Sequence, residues 1–550
     1  MAEEMTKEEK QRIKEERRRA FLEAHPELAA KQQEASEKKK VQKQKKDEAV
    51  STEEQLNDQQ TVRREKMNDL RAKGIDPFGQ AYHRTHRSGE IRALFGGRTL
   101  EELEAEDNRV SIAGRIMTKR RLGKLGFIHI QDIDGQIQAV VNRQIVGDEI
   151  YELFKASDLG DIVGIEGTVI KTQAGELSVL ASSYTHLSKA LRPLPEKFHG
   201  LQDKEERFRR RYVDLVMNDR AREIAVLRPR IIRAIQRYMD SHGYIEVETP
   251  ILQSLLTGAS AKPFITHHNA LDRDFYLRIA TELALKRLIV GGLEGVYEIG
   301  RIFRNEGMDL KHNPEFTTME AYKAYSDLEG MMEFNEELFE TVALEVFGTT
   351  DFTFMGHEIS LKAPFKRWDM TDAVKEVTGV DFRQPMSIED ALKLAQEHNV
   401  AVEDHQRTIG HIISLFFEAF CEDKCIQPTF VHGHPIEISP LAKKDTKDPR
   451  FTQRFELMIA GVEMSNAFTE LNDPIDQRER FESQLKLREL GDEEAGDLDE
   501  DYLEAMEYGM PPTGGIGIGI DRLVMMLTGE DSIREVLLFP TMKPRNDENA

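Results

Sequence analysis

Cysteine is scarce in this chain: Cys421 and Cys425 are the only two in 550 residues. Two thiols build no disulfide framework, and no further ligands stand nearby for a zinc site. Their i, i+4 spacing on the apolar run SLFFEAFCEDKC predicts two buried thiols, and the low cysteine use suits a reducing cytoplasm. Long uncharged apolar runs are missing, which excludes a membrane span, and the densely charged N-terminus lacks the apolar core of a secretory signal. Positive charge is in deficit, with 76 Lys and Arg against 99 Asp and Glu and a formal net charge of −23. The molecule as a whole therefore repels nucleic acid, and any such contact must use local basic patches or base readout. No Ser-His-Asp or Cys-His set stands out, so covalent nucleophilic catalysis has no obvious agent.

What is present divides along the chain. Residues 1–60 are low in complexity and rich in Lys, Arg, Glu and Gln, with a run from Lys38 to Lys46 free of acidic residues. Such a segment cannot bury a core; it reads equally as a solubilising arm or a basic arm for nucleic acid. A helical lead-in follows over 61–107, its first stretch REKMNDLRAKG ending at Gly74. Over 108–189 the runs VSIAGRIM, GFIHIQD, GQIQAVV, DIVGIEGTVI and LSVLAS alternate as strands split by Gly and Asp, the pattern of an OB-fold barrel. A linker with Pro193 and Pro195 covers 190–207. From 208 to 545 long helices alternate with strands. PRIIRAIQRYMDSHGY predicts a helix stopped by Gly243, YIEVETPIL a strand, 369–423 a helical insertion, and the acidic stretch Gly491–Asp501 an exposed loop. The expected class is α+β: an OB barrel followed by an antiparallel sheet flanked by helices.

Three runs carry chemistry. In FRNEGMDLKHNPEFTTME, Arg304 and Glu306 leave one strand on a common face, and Phe316 and Glu320 re-enter on a second. His312 and Asn313 sit in the loop between, limited by Pro314. A guanidinium for a phosphate, a ring for a base and a carboxylate for an exocyclic amine together suit a nucleotide. In GGIGIGIDRLVMML, Gly515, Gly517 and Gly519 alternate along one face and leave a flat floor, with Arg522 at the mouth of a helix. The spacing is not that of a dinucleotide fold, and close strand packing would also use these glycines. In FELMIAGVEMSNAFTELNDP, Glu456 and Glu463 can face a common point across a strand–turn–strand, as hard oxygen donors for Mg²⁺. Asn466, Phe468 and Glu470 alternate on one side, Glu320 and Tyr322 share a face, and Glu282 lies in the largely apolar RIATELALKRL. With two carboxylates on metal, the rest make a pocket too negative for an acidic or apolar amino acid. It suits one with two ammonium groups, which is lysine.

The Phe303–Glu320 run resembles motif 2 of the class II aminoacyl-tRNA synthetases, GIGIGIDR resembles motif 3, and the helix and strand ending at Pro250 resemble motif 1. From roughly Asp69 to Lys543, with RPLPEKFHGLQDKEERFRRRYVDL and PFITHHNALD as further strings, the chain resembles the lysine-activating branch of that family. The resemblance implies that Arg304 holds the α-phosphate and the substrate carboxylate, and that Arg522 covers adenine and the γ-phosphate. Both would be catalytic. Glu306, His312 and Asn313 are implied ATP contacts, Phe316 stacks on adenine, and Glu456 and Glu463 take Mg²⁺, Glu456 also touching ATP. Gly258 and Glu282 are implied at the α-amino group, Asn466 at the carboxylate, and Tyr322 and Glu470 at the ε-ammonium, with Glu320 and Phe468 in the same pocket. In the barrel, Phe127, Gln138 and Glu176 are implied readers of the anticodon. Small departures stand at Ala467, Thr469 and Thr281, none of which removes a charged contact. The implied partners are tRNA(Lys), L-lysine and ATP, with a homodimer through motif 1. Three alternatives stay open: an aspartyl or asparaginyl sister enzyme, a paralogue that modifies protein, and a non-catalytic RNA-binding descendant. The acidic pocket argues against the first, the barrel against the second, and the intact arginines and metal carboxylates against the third.

Overall fold

The computed structural model describes residues 57–105, 108–195, 201, 203–256, 258, 261–489 and 497–545. The N-terminal arm up to residue 56, with its Lys38–Lys46 run, lies outside the described residues, as do residues 491–496 of the acidic stretch. The chain divides into two units, Met1–Gly200 and Leu201–Ala550.

In the first unit a helix over 57–72 ends at a turn where Gly74 takes φ +73°, a left-handed conformation that costs glycine little. Five strands follow: β1 (Arg109–Leu122), β2 (Leu125–Asp132), β3 (Gly135–Asn142), β4 (Ile162–Lys171) and β5 (Leu177–Ser188). They close into a barrel in the order β1-β2-β3-β5-β4. Alternation along the strands sends Ile112, Ile128, Ile130, Val163, Ile165 and Val179 into one core. The same alternation leaves Phe127 and His129 together on the outer face, two residues apart on β2.

The second unit is built on an eight-stranded sheet. Its strands and those of two small sheets run β6 (Ile245–Glu246), β7 (Leu252–Gln253), β8 (Ile265–His268), β9 (Arg273–Leu277), β10 (Gly295–Phe303), β11 (Glu315–Ala324), β12 (Asp351–Phe354), β13 (His357–Ser360), β14 (Lys366–Asp369), β15 (Thr429–His432), β16 (Arg454–Ile459), β17 (Val462–Thr469) and β18 (Thr513–Gly519). The large sheet is ordered β14-β15-β16-β17-β18-β11-β10-β6; β7–β9 and β12–β13 pair apart from it. The expected antiparallel sheet is antiparallel through its six central strands, while both edge pairings, β14–β15 and β10–β6, are parallel. Helices Asp219–Ser241, Leu328–Phe347 and Ile520–Thr528 cover the apolar face, burying Ile231, Phe339, Phe455, Ile518 and Leu523 in one cluster.

Several boundaries differ from the sequence expectation, each for a local reason. The helix placed at Pro229 begins ten residues earlier, at Asp219, with Asn218 as its cap and Pro229 inside it. Buried Ala221, Ile224 and Leu227 extend the apolar stripe past the proline and outweigh its missing N–H. YIEVETPIL is not one strand: β6 and β7 are two residues each. Between them the Thr249 N–H and hydroxyl donate to the Glu298 carboxylate, at 3.0 and 2.7 Å, in place of a ladder. The end of the acidic stretch is not loop. Asp499 is buried, caps the helix Glu500–Glu507 by accepting from the Tyr502 N–H, and pairs with Arg287 at 2.8 Å. Residues 369–423 contain the helices Met370–Thr378, Ile388–Glu397 and Ile409–Phe420, packed in one cluster around Phe382 and Phe416 that also takes in Trp368, Val431 and Met458 from the sheet. Cys421 and Cys425 are buried there as free thiols.

Candidate functional site

Strand register lays out the site. Glu298, Glu320, Gly517, Asn466 and Glu456 stand opposite one another in a row across β10, β11, β18, β17 and β16. Two residues further along the strands a second row holds Tyr322, Gly515, Phe468 and Arg454. Side chains directly opposite share a face, so both rows point the same way. A cavity of about 330 Å³ opens above this face.

That cavity brings together Gly258, Glu282, Arg304, Glu306, His312 and Asn313, and with them Phe316, Glu320, Glu463, Asn466 and Arg522. Tyr322, Phe468, Glu470 and Glu456 do not line it. Arg304 and Glu306 were expected on a strand; they lie in the loop after β10, which ends at Phe303. One more bond, Arg304 N–H to Pro314 O at 2.9 Å, carries the ladder to the loop. The Arg304 guanidinium lies over the Phe316 ring, 5.3 Å from its centre, and its buried Nε has no partner. Among the described residues it also has no carboxylate partner, so an unpaired cation faces the cavity. Arg522 donates to the Glu463 backbone O at 2.7 Å and to its carboxylate at 3.2 Å, and meets His312 Nε2 at 3.3 Å. Asp309 orients the His312 ring from the other nitrogen at 2.8 Å. Asn313 is fixed by donating to Glu315 O at 2.6 Å.

Glu463 and Glu456 are differently placed. Glu463 reaches the cavity, while the Glu456 carboxylate is held by Arg454 at 2.6 Å, beside an Arg454–Asn466 bond of 3.1 Å. Among the described residues no group of three or more His, Cys, Asp or Glu is arranged to hold a metal ion. Two carboxylates do match what Mg²⁺ takes from a protein when nucleotide phosphates and water complete its shell.

At the inner end of the cavity lies a buried ionic cluster. Glu320 accepts from the Thr281 N–H at 3.1 Å and from the Tyr322 hydroxyl at 3.2 Å. Burial first, then the neighbouring Glu282 charge, pushes the Glu320 carboxyl up to about 7. Glu470, wholly enclosed, follows β17 and tucks beneath Gly515. The floor expected from Gly515, Gly517 and Gly519 is thus divided: Gly517 and Gly519 line the cavity, and Gly515 makes room for Glu470 and Tyr322. Glu282 opens the helix Glu282–Val290, and one turn later the buried Lys286 ammonium pairs with both Glu282, at 2.5 Å, and Glu470. Sequence reasoning passed over Lys286, because a Glu–Lys pair at i, i+4 is usually a surface feature. The signal lay in its apolar neighbours Leu283, Leu285 and Ile289. It also missed Asp521, whose carboxylate accepts from the Thr317 N–H at 2.7 Å and pairs with Arg228 at 2.5 Å, tying β11 to the helix that carries Arg522.

On the barrel, Gln138 donates to Glu176 at 2.5 Å, His129 meets the other Glu176 oxygen at 3.0 Å, and Ser178 donates to Gln138 at 3.0 Å. Phe127 stands half-buried beside this polar chain on the same outer face.

A nucleotide-sized cavity with unpaired guanidinium, floored by an antiparallel sheet, accompanies a separate nucleic-acid-type barrel. The family described as tRNA synthetases class II (D, K and N) matches residues 203–543, and that described as OB-fold nucleic acid binding domain matches 110–187. The chain belongs to the class II tRNA synthetases. Proteins named lysine–tRNA ligase are similar to it almost end to end. That of Bacillus cytotoxicus is 60% identical over 492 residues, spanning 90% of this chain and 98% of its own. Those of Bacillus cereus (strain AH187) and Bacillus anthracis are each 59% identical over the same shares. Within the class, the chain belongs with the lysine–tRNA ligases.

The two inner glycines should respond differently to a methyl group. A Cβ on Gly515 would fall 1.9 Å from Glu470 Oε1 and 2.6 Å from the Tyr322 ring, whereas one on Gly517 meets nothing nearer than 3.8 Å. Gly515→Ala should lower stability by about 1–3 kcal/mol in urea unfolding, and Gly517→Ala should leave it nearly unchanged. Equal effects from the two would contradict the described packing.

Proposed function

We propose that this chain activates L-lysine with ATP and transfers it to the 3′ end of tRNA(Lys), and that the cavity residues act as follows. The observation that carries the reading is a buried acidic and aromatic cluster: Glu282 and Glu320 line the cavity with the unpaired Arg304, and Glu470, Tyr322 and Phe468 lie beside them around Lys286. Two ammonium groups answer the carboxylates, and the α-carboxylate and α-phosphate answer the guanidinium. Glu282 and the backbone at Gly258 receive the α-ammonium; Asn466 and Arg304 hold the carboxylate. Glu470, Tyr322 and Phe468 recognise the ε-ammonium, with Glu320 beside them. Phe316 stacks on adenine, Glu306, His312 and Asn313 contact ATP, and Arg522 covers the γ-phosphate and the other adenine face. Glu456 and Glu463 hold Mg²⁺, which neutralises phosphate charge when bound.

A lysine carboxylate oxygen attacks the α-phosphorus in line, pyrophosphate leaves, and lysyl-adenylate forms. A terminal ribose hydroxyl of tRNA then attacks the lysyl carbonyl and AMP leaves. No enzyme nucleophile takes part: Arg304 and Arg522 orient the phosphates and stabilise charge that grows in the transition state. In the barrel, Phe127 stacks on an unpaired anticodon base while Gln138 and Glu176 offer polar edges. The division of the chain into 1–60, 61–107, 108–189, 190–207 and 208–545 follows these roles, with an insertion near 369–423. A homodimer through the helix Asp219–Ser241 and β6 is supported by apolar side chains left exposed there, Val226 and Ile245. A cytoplasmic setting agrees with two free thiols and with no described helix long and apolar enough to cross a membrane.

Pyrophosphate exchange over the twenty amino acids should select lysine, and Arg304→Ala should slow exchange by roughly 10²–10³-fold. Full activity in that variant would remove Arg304 from its role. Lysine affinity should also depend on pH through Glu320. Its carboxyl titrates near 7 in the folded chain, above the ordinary carboxylate range. Between the two values the native state binds the extra proton, so without ligand this group makes stability fall as pH rises. A bound ammonium favours the ionised form, so the KM for lysine should drop as pH rises from 6 to 8, and Glu320→Gln should flatten that slope. A flat wild-type profile would count against the assignment. Phe127→Ala should lose roughly 1–3 kcal/mol of tRNA discrimination and leave tRNA-independent exchange intact. Impaired exchange would instead make Phe127 structural.

A further inference from the structure

Lys286 is completely buried, and its ammonium occupies a cage of the same composition that the pocket offers its substrate. It pairs with Glu282 and with Glu470, and lies 5.9 Å from the Tyr322 ring centre and 5.4 Å from that of Phe468. Tyr502, from the helix Glu500–Glu507, adds a buried hydroxyl without a partner, and Arg287 turns away to Asp499. Glu320 is the remaining carboxylate of the cluster.

We propose that Lys286 is a specificity-determining positioning residue: its ammonium joins the carboxylate that receives the substrate's α-ammonium to the one that receives its ε-ammonium, balancing their charge and holding them at fixed spacing. The inference rests on the pocket reading given above. With lysine bound and Glu282, Glu320 and Glu470 all ionised, the cluster holds three negative charges, of which Lys286 cancels one and the two ammonium groups of lysine cancel the rest. An amino acid with a neutral side chain brings one ammonium and leaves a buried carboxylate without a counter-charge, which is costly. Without Lys286 the three carboxylates crowd together and take up protons instead. A protonated Glu470 no longer demands a cation, so the pocket would lose both affinity for lysine and rejection of its uncharged analogues. Burial pushes the Glu470 carboxyl up, and Lys286 is the cation that opposes the push. Burial likewise disfavours the Lys286 ammonium, but the Glu282 and Glu470 charges outweigh it and hold its pKa above the ordinary lysine value.

The test uses the full chain, with lysine and norleucine as probes in pyrophosphate exchange and calorimetry from pH 6 to 9. Lys286→Met should weaken lysine binding roughly 10–100-fold at pH 7, since each unit by which a displaced carboxyl is raised costs about tenfold. The pH at which lysine binding is half lost should move upward, more protons should leave per lysine bound, and the lysine-to-norleucine ratio should shrink. ATP binding should hold. Lys286→Arg should restore the wild-type pH midpoint whatever it does to affinity. A pH-independent loss in Lys286→Met, or no loss, overturns the proposal. So does failure of both Lys286→Met and Lys286→Gln to fold while Lys286→Arg folds, which would make the cation a structural counter-ion only. Glu470→Gln separates this from the underlying reading: an unchanged lysine-to-norleucine ratio there removes the pocket itself, whereas a changed ratio with an inert Lys286→Met removes Lys286 alone.

Discussion

Hydrogen-bond register across five strands is the constraint on which the rest of this site depends. Glu320, Gly517, Asn466 and Glu456 are more than a hundred residues apart at the extremes, yet one ladder sets them in a line. Tyr322, Gly515 and Phe468 form the next line on the same face. A slip of one residue in any strand would turn its contribution to the opposite, apolar side. That side is occupied by Met319, Ile518 and Ala467, packed under three helices, so burial holds the register and the register holds the chemistry.

A second layer of order is electrostatic. The chain gathers carboxylates where water is largely excluded, and such charges persist only with partners. Some partners belong to the protein: Arg278 pairs with Glu298 at 2.5 Å and Arg228 with Asp521 at 2.5 Å. Others are missing, as at Arg304, which has no carboxylate partner among the described residues and whose buried Nε donates no bond to them. Binding energy is therefore concentrated at the groups left incomplete, and the neighbouring completed pairs keep those groups in place.

Much of this was legible in the sequence for physical reasons. The barrel strands showed because one face is core and the other is not, which imprints alternation. The loop between β10 and β11 and the glycine strand showed because their residue types have few other uses in combination. What escaped was decided by partners distant in sequence. The chain between β6 and β7 leaves the ladder because Glu298 is there to accept the Thr249 bonds, and Asp499 caps a helix because Arg287 draws it inward. The helix runs on past Pro229 because its buried stripe does. Lys286 drew no attention in the sequence because the carboxylate it meets, Glu470, lies far along the chain. The register rows, too, exist only in the assembled sheet.

The glycine strand β18 lies between β17 and β11, the middle of the large sheet, although it comes near the end of the chain. As the polypeptide leaves the ribosome, the β10–β11 and β16–β17 hairpins can each form early, but each presents an open edge where β18 will later pair. The sheet stays in two halves until the last segment emerges, so a nascent chain needs those edges shielded throughout synthesis. A transcript truncated shortly before Thr513 would yield two half-sheets with exposed edges, a product prone to aggregation and degradation.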